Sequence, residues 1–259
     1  MSKITVTTIA GATSGSDANK VKIESGDELD IVNGDLTVNT NKLFVDASTD
    51  YIGIGTTSPA TATGGGIDIH RNGGSSVRID DTTNSVTGEL QVYSAGLNLA
   101  TVTNHNLSLS TNNSVKMTID GSGRVTKPNQ PSSRVGGTST YTTDNTVVTS
   151  WTSAYHNVGN HFNTSTGVFT APVAGVYQVS LSYLNENNTN PSDGHVRVNG
   201  SQNNGFRLRS GTSAGHQSTS ASHSILLAAN DTLDVYLEQG EIYNDTSVSW
   251  SLFSAYLLG

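Results

Sequence analysis

Three arginines in the stretch HVRVNGSQNNGFRLR are the residues of this chain best placed to do chemistry. Alternation along the two strands of the hairpin puts Val196, Val198, Phe206 and Leu208 on one face and Arg197, Arg207 and Arg209 on the other. Guanidinium groups ranked on one face suit bidentate contacts with carboxylate, phosphate or sulfate. The alternative is that they pair with Asp or Glu of a neighbouring strand or subunit. Tyr243, in GEIYND, adds a loop aromatic of the type that stacks on sugars.

Catalytic patterns are weak by comparison. Gly53-x-Gly55 lacks a third glycine and leads into Ser58-Pro59 rather than a helix, which argues against a dinucleotide turn. Sugar hydrolysis needs two carboxylates roughly 5–9.5 Å apart, but Asp231 and Asp234 in ANDTLDV read as a turn followed by an outward Asp on a strand. Asp80-Asp81 reads as a turn. His156 and His161 flank a loop without carboxylate company. The expectation is a protein that is not an enzyme, with no cofactor and no assigned metal.

Composition narrows the class of partner. Charged residues make up 13% of the 259 positions, against roughly 25% in an average soluble domain. The net charge of −8, with no lysine after Lys127, argues against a nucleic-acid partner. Cysteine is absent, so no disulfide framework or thiolate metal site exists. The start MSKITVTTIAG lacks the apolar core of a secretory signal, and no apolar run is long enough for a transmembrane helix. With 34% apolar residues and modest charge, the profile is that of a β-rich structural or surface protein rather than a disordered one.

The elements that must hold the arginines are strands. GVYQVSLSYL alternates strictly, with Tyr177, Val179, Leu181 and Tyr183 on one face and Gln178, Ser180 and Ser182 on the other. HVRV, FRLR, SASHSILL and DTLDVYLE follow, separated by Asn, Gly, Asp and Ser clusters at the spacing of an all-β sandwich, for which a jelly roll is the natural arrangement. The last strand, in SWSLFSAYLLG, carries Val248, Trp250, Leu252, Tyr256 and Leu258 on one face. Its other face runs from Ser249 and Ser251 to Phe253, Ala255 and Leu257. A sandwich strand needs one apolar face, so the second predicts contact with another chain or a covering loop.

The first part is written differently. Aliphatic pairs spaced i, i+2 recur every seven residues at Leu29/Ile31, Leu36/Val38, Leu43/Val45 and Ile52/Ile54. The beat loosens but continues through Ile67/Ile69, Val77/Ile79, Leu90/Val92, Leu97/Leu99, Leu107/Leu109 and Val115/Met117/Ile119. A spacing of two and turn formers between the pairs argue for short strands over a coiled coil. So little apolar surface cannot offset the ordering of the chain, at about 1–2 kcal/mol per residue against about 1.5–3 per buried aliphatic. Several copies winding together would supply the missing burial.

Two resemblances sharpen this reading. VNGDLTVNTNKLFVDASTDYIGIGTTSP and VKMTIDGSGRVTKPNQP resemble shaft segments of bacteriophage fibre proteins, particularly those of marine and cyanobacterial hosts. Further on, Trp151, Asn157, Phe162, Phe169, Gly175 and Tyr177 fall at the spacings of C1q-like globular heads, the trimeric jelly rolls related to the tumour necrosis factor fold. Trp151 replaces the usual Phe, and Val179 and Leu181 replace aromatics. The resemblances imply an all-β chain in which a trimeric β-fibre shaft precedes a C1q/TNF-like jelly-roll β-sandwich. Residues 1–32 would form an N-terminal virion-attachment segment, or the first shaft repeats. Residues 33–125 would form the shaft, 126–135 a linker and 136–259 the head.

The implied function is a virion fibre, a phage tail fibre that attaches to the host cell through its head. Implied partners are two further copies in a homotrimer, a tail or capsid protein, and a host surface glycan or outer-membrane receptor. Receptor candidates are Arg197, Arg207, Arg209 and Tyr243. Trimer-interface candidates are Tyr177, Leu252, Phe253, Tyr256, Leu257 and Leu258. The family includes members that bind calcium near the trimer axis, yet no acidic cluster in the sequence specifies such a site. Alternatives are a capsid-decorating fibre whose head mainly drives trimerisation, a glycan depolymerase, and a cellular C1q-like adhesion protein.

Overall fold

Residues 43–46, 51–56, 66–186, 189–212 and 215–259 are described by the computed structural model. The attachment segment expected at 1–32 and the pairs Leu29/Ile31 and Leu36/Val38 lie outside these residues. The chain divides into two compact units, Met1–Val102 and Thr103–Gly259.

In the first unit, β1 (Phe44–Asp46), β2 (Tyr51–Ile54) and β3 (Gly66–Ile69) form one small sheet, with β1 antiparallel and β3 parallel to β2. Gly55 follows β2 with φ +81°, and its α-carbon packs so close to the His70 carbonyl that no Cβ would fit. Only glycine suits that turn. A second sheet is a meander of β4 (Ser75–Asp81), β5 (Val86–Tyr93) and β6 (Gly96–Thr101). Its first turn is shaped by the Asp81 carboxylate, which accepts the backbone N–H groups of Thr83 and Asn84 at 3.0 and 3.1 Å.

The second unit opens with β7 (Leu107–Thr111), β8 (Ser114–Ile119) and β9 (Val125–Thr126). Asn112 and Asn113 join β7 to β8 with φ of 49° and 56°, the two left-handed residues that match the twist of a tight hairpin. The IDGSGRVT phrase then forms a clamped turn. Asp120 accepts the N–H groups of Ser122 and Arg124 at 2.9 and 3.0 Å and the Arg124 Nε–H at 2.6 Å.

The rest of this unit is the sandwich. Its strands are β10 (Ser132–Gly136), β11 (Thr146–Val147), β12 (Ser153–Val158), β13 (Phe162–Asn163), β14 (Val168–Thr170), β15 (Gly175–Asn185), β16 (Asp193–Val198), β17 (Ser201–Arg209), β18 (Gln217–Leu227), β19 (Thr232–Gln239) and β20 (Leu252–Leu257). One sheet has the order β12-β10-β20-β15-β18; the other has the order β13-β14-β19-β16-β17, with β11 also paired to β19. The chain switches sheets between β15 and β16, β17 and β18, β18 and β19, and β19 and β20, as a jelly roll does.

The core lies between the sheets. Tyr177, Val179, Leu181, Tyr183 and Phe253 meet Phe169, Val196, Phe206, Leu233 and Val235, all essentially without exposure. Trp151 and Phe162 pack on Phe253 with ring centroids 6.3 and 6.0 Å away. The departures at Trp151, Val179 and Leu181 therefore fill the same core. Asn157 ties the β12–β13 turn in both directions, donating to the Phe162 carbonyl at 2.8 Å and accepting the Phe162 N–H at 3.1 Å. Gly175 lies where a Cβ would strike the Leu257 side chain and the Gly259 carbonyl, so the C-terminal residues can cross directly above it. The Tyr183 hydroxyl accepts the Gly194 N–H at 3.1 Å and donates to the Leu208 carbonyl at 2.7 Å, joining the two sheets.

Candidate functional site

The arginine hairpin folds as its alternation predicts. Asn199 and Gly200 turn β16 into β17 with φ of 51° and 73°, while Val196, Phe206 and Leu208 enter the core. The outward face of β16, β17 and β19 carries Asp193, His195, Arg197, Arg207, Arg209, Asp234, Tyr236 and Glu238. It is a network of paired charges rather than a bare cationic patch.

Arg197 stands opposite Asp234 in register and holds it bidentately, Nε to Oδ1 at 2.7 Å and Nη2 to Oδ2 at 3.0 Å. Its guanidinium also lies 4.2 Å above the Tyr236 ring. Arg207 grips Asp193 in the same way at 2.8 and 2.6 Å, and its Nη2 lies 2.7 Å from Glu238 Oε2. Hydrogen bonding to Asp193 raises the already high pKa of Arg207 further. Arg209 projects outward with 64% of its side chain exposed and comes no closer than 3.9 Å to Asp193. Carboxylates of the same sheet thus hold two of the three arginines bidentately, and Arg209, at the long edge of ion-pair distance from Asp193, is the most exposed of the three.

His195 completes the network. It is buried between its cross-strand neighbours Arg207 and Tyr236, with the Tyr236 ring 5.2 Å away. Burial pushes its imidazole below the ordinary value, Glu238 working in the opposite direction. Asp193, His195 and Glu238 bring their ligand atoms within 4.8 Å of one another. This cluster has no counterpart among the sequence expectations. Alternation in HVRV does place His195 beside Arg197, but Glu238 joins only through the β16–β19 register.

The other expected residues separate. Tyr243 is half-buried rather than displayed on a loop; its backbone bridges Leu184 and its ring lies 5.7 Å from that of His216. Tyr177 and Phe253 face the interior of their own sandwich, so another chain cannot reach them. Leu257 packs against the same core. Leu252, Tyr256 and Leu258 face outward from the five-stranded sheet, with Val176 and Leu226 beside Tyr256 and Leu258. The middle of that face is polar. Ser180 is flanked in register by Ser222 and Ser254, and Gln178 donates to Ser222 Oγ at 2.6 Å. The second apolar face read from the last strand alone is therefore apolar at its ends and serine-rich between them.

The acid pair considered for hydrolysis is structural. Asp231 accepts the Ala228 N–H and the Asn199 amide in a turn, while Asp234 is held by Arg197. Among the described residues no helix is long and apolar enough to cross a membrane.

Comparisons with known proteins find likenesses to part of the chain. Residues 134–258 match the family model of the C1q domain. Over 103 residues the chain is 32% identical to complement C1q tumor necrosis factor-related protein 3 of Mus musculus and equally to that of Homo sapiens, covering 39% of this chain. That match spans 41% of each relative's length. Two solved structures align with half of the chain at 14% identity. The globular domain of zebrafish complement 1qA is covered over 98% of its length with a TM-score of 0.40, and Eiger TNF from S. frugiperda over 93% with a TM-score of 0.42. The described residues are all-β, and residues 134–258, folded as a jelly-roll sandwich, are similar to the C1q domain.

Proposed function

We propose that the chain is the subunit of a homotrimeric virion fibre, a phage tail fibre whose jelly-roll head attaches the particle to a host surface. The observation that carries this reading is the meander β4-β5-β6. Val77, Ile79, Leu90, Val92, Leu97 and Leu99 share one of its faces in register, and all are between 45% and 73% exposed. The opposite face carries Arg78, Glu89, Gln91 and Asn98. A face this apolar calls for cover, and two further copies of the same sheet, turned inward about a threefold axis, supply it. The likeness of the surrounding phrases to phage shaft segments gives the assembly its context.

In the head, Leu252, Tyr256, Leu258 and Leu226 would border the threefold contact, with the serine face between them. Arg209 is the residue we assign to acidic groups on the host, repeated three times so that weak contacts multiply. The pairing of Arg197 and Arg207 within their own sheet favours a second reading, a capsid-decorating fibre whose head mainly drives trimerisation. The mass of the full chain in solution tests the assembly. Labelled chain on bacterial cells and on sulfated and carboxylated polysaccharides, beside Arg209→Ala, tests attachment. Trimers whose staining falls in the variant support the first reading; trimers that stain nothing support the second; a monomer removes both.

A further inference from the structure

A buried imidazole with no partner marks the outward face of β16. His195 is 1% exposed, and neither ring nitrogen has a hydrogen bond. Buried polar groups without partners are rare in folded proteins and call for an explanation, an ion among them. The Nδ1 of His195 lies 4.0 Å from Glu238 Oε2, too far for a hydrogen bond. On the same face is the Asp193 carboxylate, itself buried beneath Arg207. Two acids beside an arginine would be an ordinary ion pair, and the imidazole is what that pair leaves unexplained.

The geometry points to a binding site for a divalent ion of the zinc class, formed by Asp193, His195 and Glu238, whose seat the Arg207 guanidinium fills. Arg207 Nη2 lies 2.6 Å from Asp193 Oδ2 and 2.7 Å from Glu238 Oε2, bridging the two carboxylates as a cation would. The donor atoms span at most 4.8 Å. An ion with tetrahedral ligand bonds of about 2.0–2.2 Å holds its donors roughly 3.3–3.6 Å apart, so the set closes once the carboxylates move inward by about 1–1.5 Å. One imidazole and two carboxylates suit zinc and its first-row neighbours, whereas calcium and magnesium favour oxygen alone. Arg207 has 46% of its side chain exposed, so it can swing outward without disturbing the core. Metal and guanidinium exclude one another, and loss of the arginine opens the site.

This inference does not depend on the fibre reading. The full chain, stripped with a chelator, is titrated with zinc by calorimetry, and its melting temperature is followed in parallel. Arg207→Gln is expected to bind zinc at least about tenfold more tightly than the parent, and His195→Gln at least about tenfold more weakly, within the range of metal-site changes. Glu238→Gln, at a partly exposed position, is expected to lose the rise in melting temperature that zinc produces in the parent. An Arg207→Gln chain that binds no tighter than the parent overturns the proposal. So does a Glu238→Gln chain that binds like the parent, or a calcium response as large as that to zinc.

Discussion

The sandwich and the meander solve the same burial problem in opposite ways. In the sandwich each strand finds its apolar complement in the facing sheet, and Tyr177, Leu181 and Phe253 lose all or nearly all exposure within one chain. In the meander three strands with equally regular alternation turn Val77, Leu90 and Leu99 to one side and leave them exposed. The difference is not in strand propensity or hydrogen bonding, since both regions pair their backbones in register. It is the second layer. Where a second sheet folds back, side chains specify a core; where none does among the described residues, the proposed fibre would take its cover from other copies.

The sharpest way to break this contrast is to empty the core of the self-sufficient region. Phe253→Ala removes the ring on which Trp151 and Phe162 pack, and is expected to cost about 3–5 kcal/mol. Urea unfolding followed by tryptophan fluorescence measures it. A loss near zero would mean that the sandwich also depends on other chains. Tyr183→Phe should do less. Without the hydroxyl, the Gly194 N–H loses its partner and the Leu208 carbonyl loses a donor inside the core, a change of about 1–3 kcal/mol in the same experiment.

These residues also show what a sequence can and cannot tell. The core faces of β15, β16 and β17 were legible because alternation is local, and Tyr177 through Tyr183 announce it unaided. The carboxylate partners of the arginines were not. Asp193 meets Arg207 across a hairpin and Asp234 meets Arg197 across a strand pair 37 residues apart, a register that no spacing within HVRV or DTLDVYLE specifies. Phe253 shows a related failure. Read from one strand, both faces of SLFSAYLL look available to a neighbour, and only the facing sheet decides which is already covered. The serine centre of the other face emerges when β15, β18 and β20 are laid side by side.

The turn ahead of the last strand gives a smaller effect with a defined pH window. Asp245 accepts the N–H groups of Ser247 and Val248 and the indole N–H of Trp250. These bonds, with the Ser247 hydroxyl foremost, hold its carboxyl well below the ordinary 3.8. A depressed folded value means the unfolded chain takes up the proton first. The contribution is therefore complete above the ordinary value and is lost as the pH falls through the folded one. Asp245→Asn should lower the melting temperature at neutral pH and flatten its fall between about pH 4 and 2. An unchanged slope would assign acid sensitivity to other turns, such as the one Asp231 holds.

The smallest expected change in the sandwich is the most informative for the contrast. Leu97→Asp places a charge on the apolar face of the meander, opposite Val92 and 72% exposed in the single chain. Sandwich stability should move by less than about 0.5 kcal/mol, as for an exposed substitution outside that unit. The same substitution should lower the mass of the full chain in solution, because three carboxylates brought together on an axis cannot stay charged and unpaired in a dry contact. Two readouts from one residue thus separate the regions. A drop in mass with an unmoved sandwich means that the meander needs its copies and the sandwich does not. An unchanged mass would leave the aliphatic face without the cover proposed for it, and a destabilised sandwich would mean that the two burial strategies are coupled.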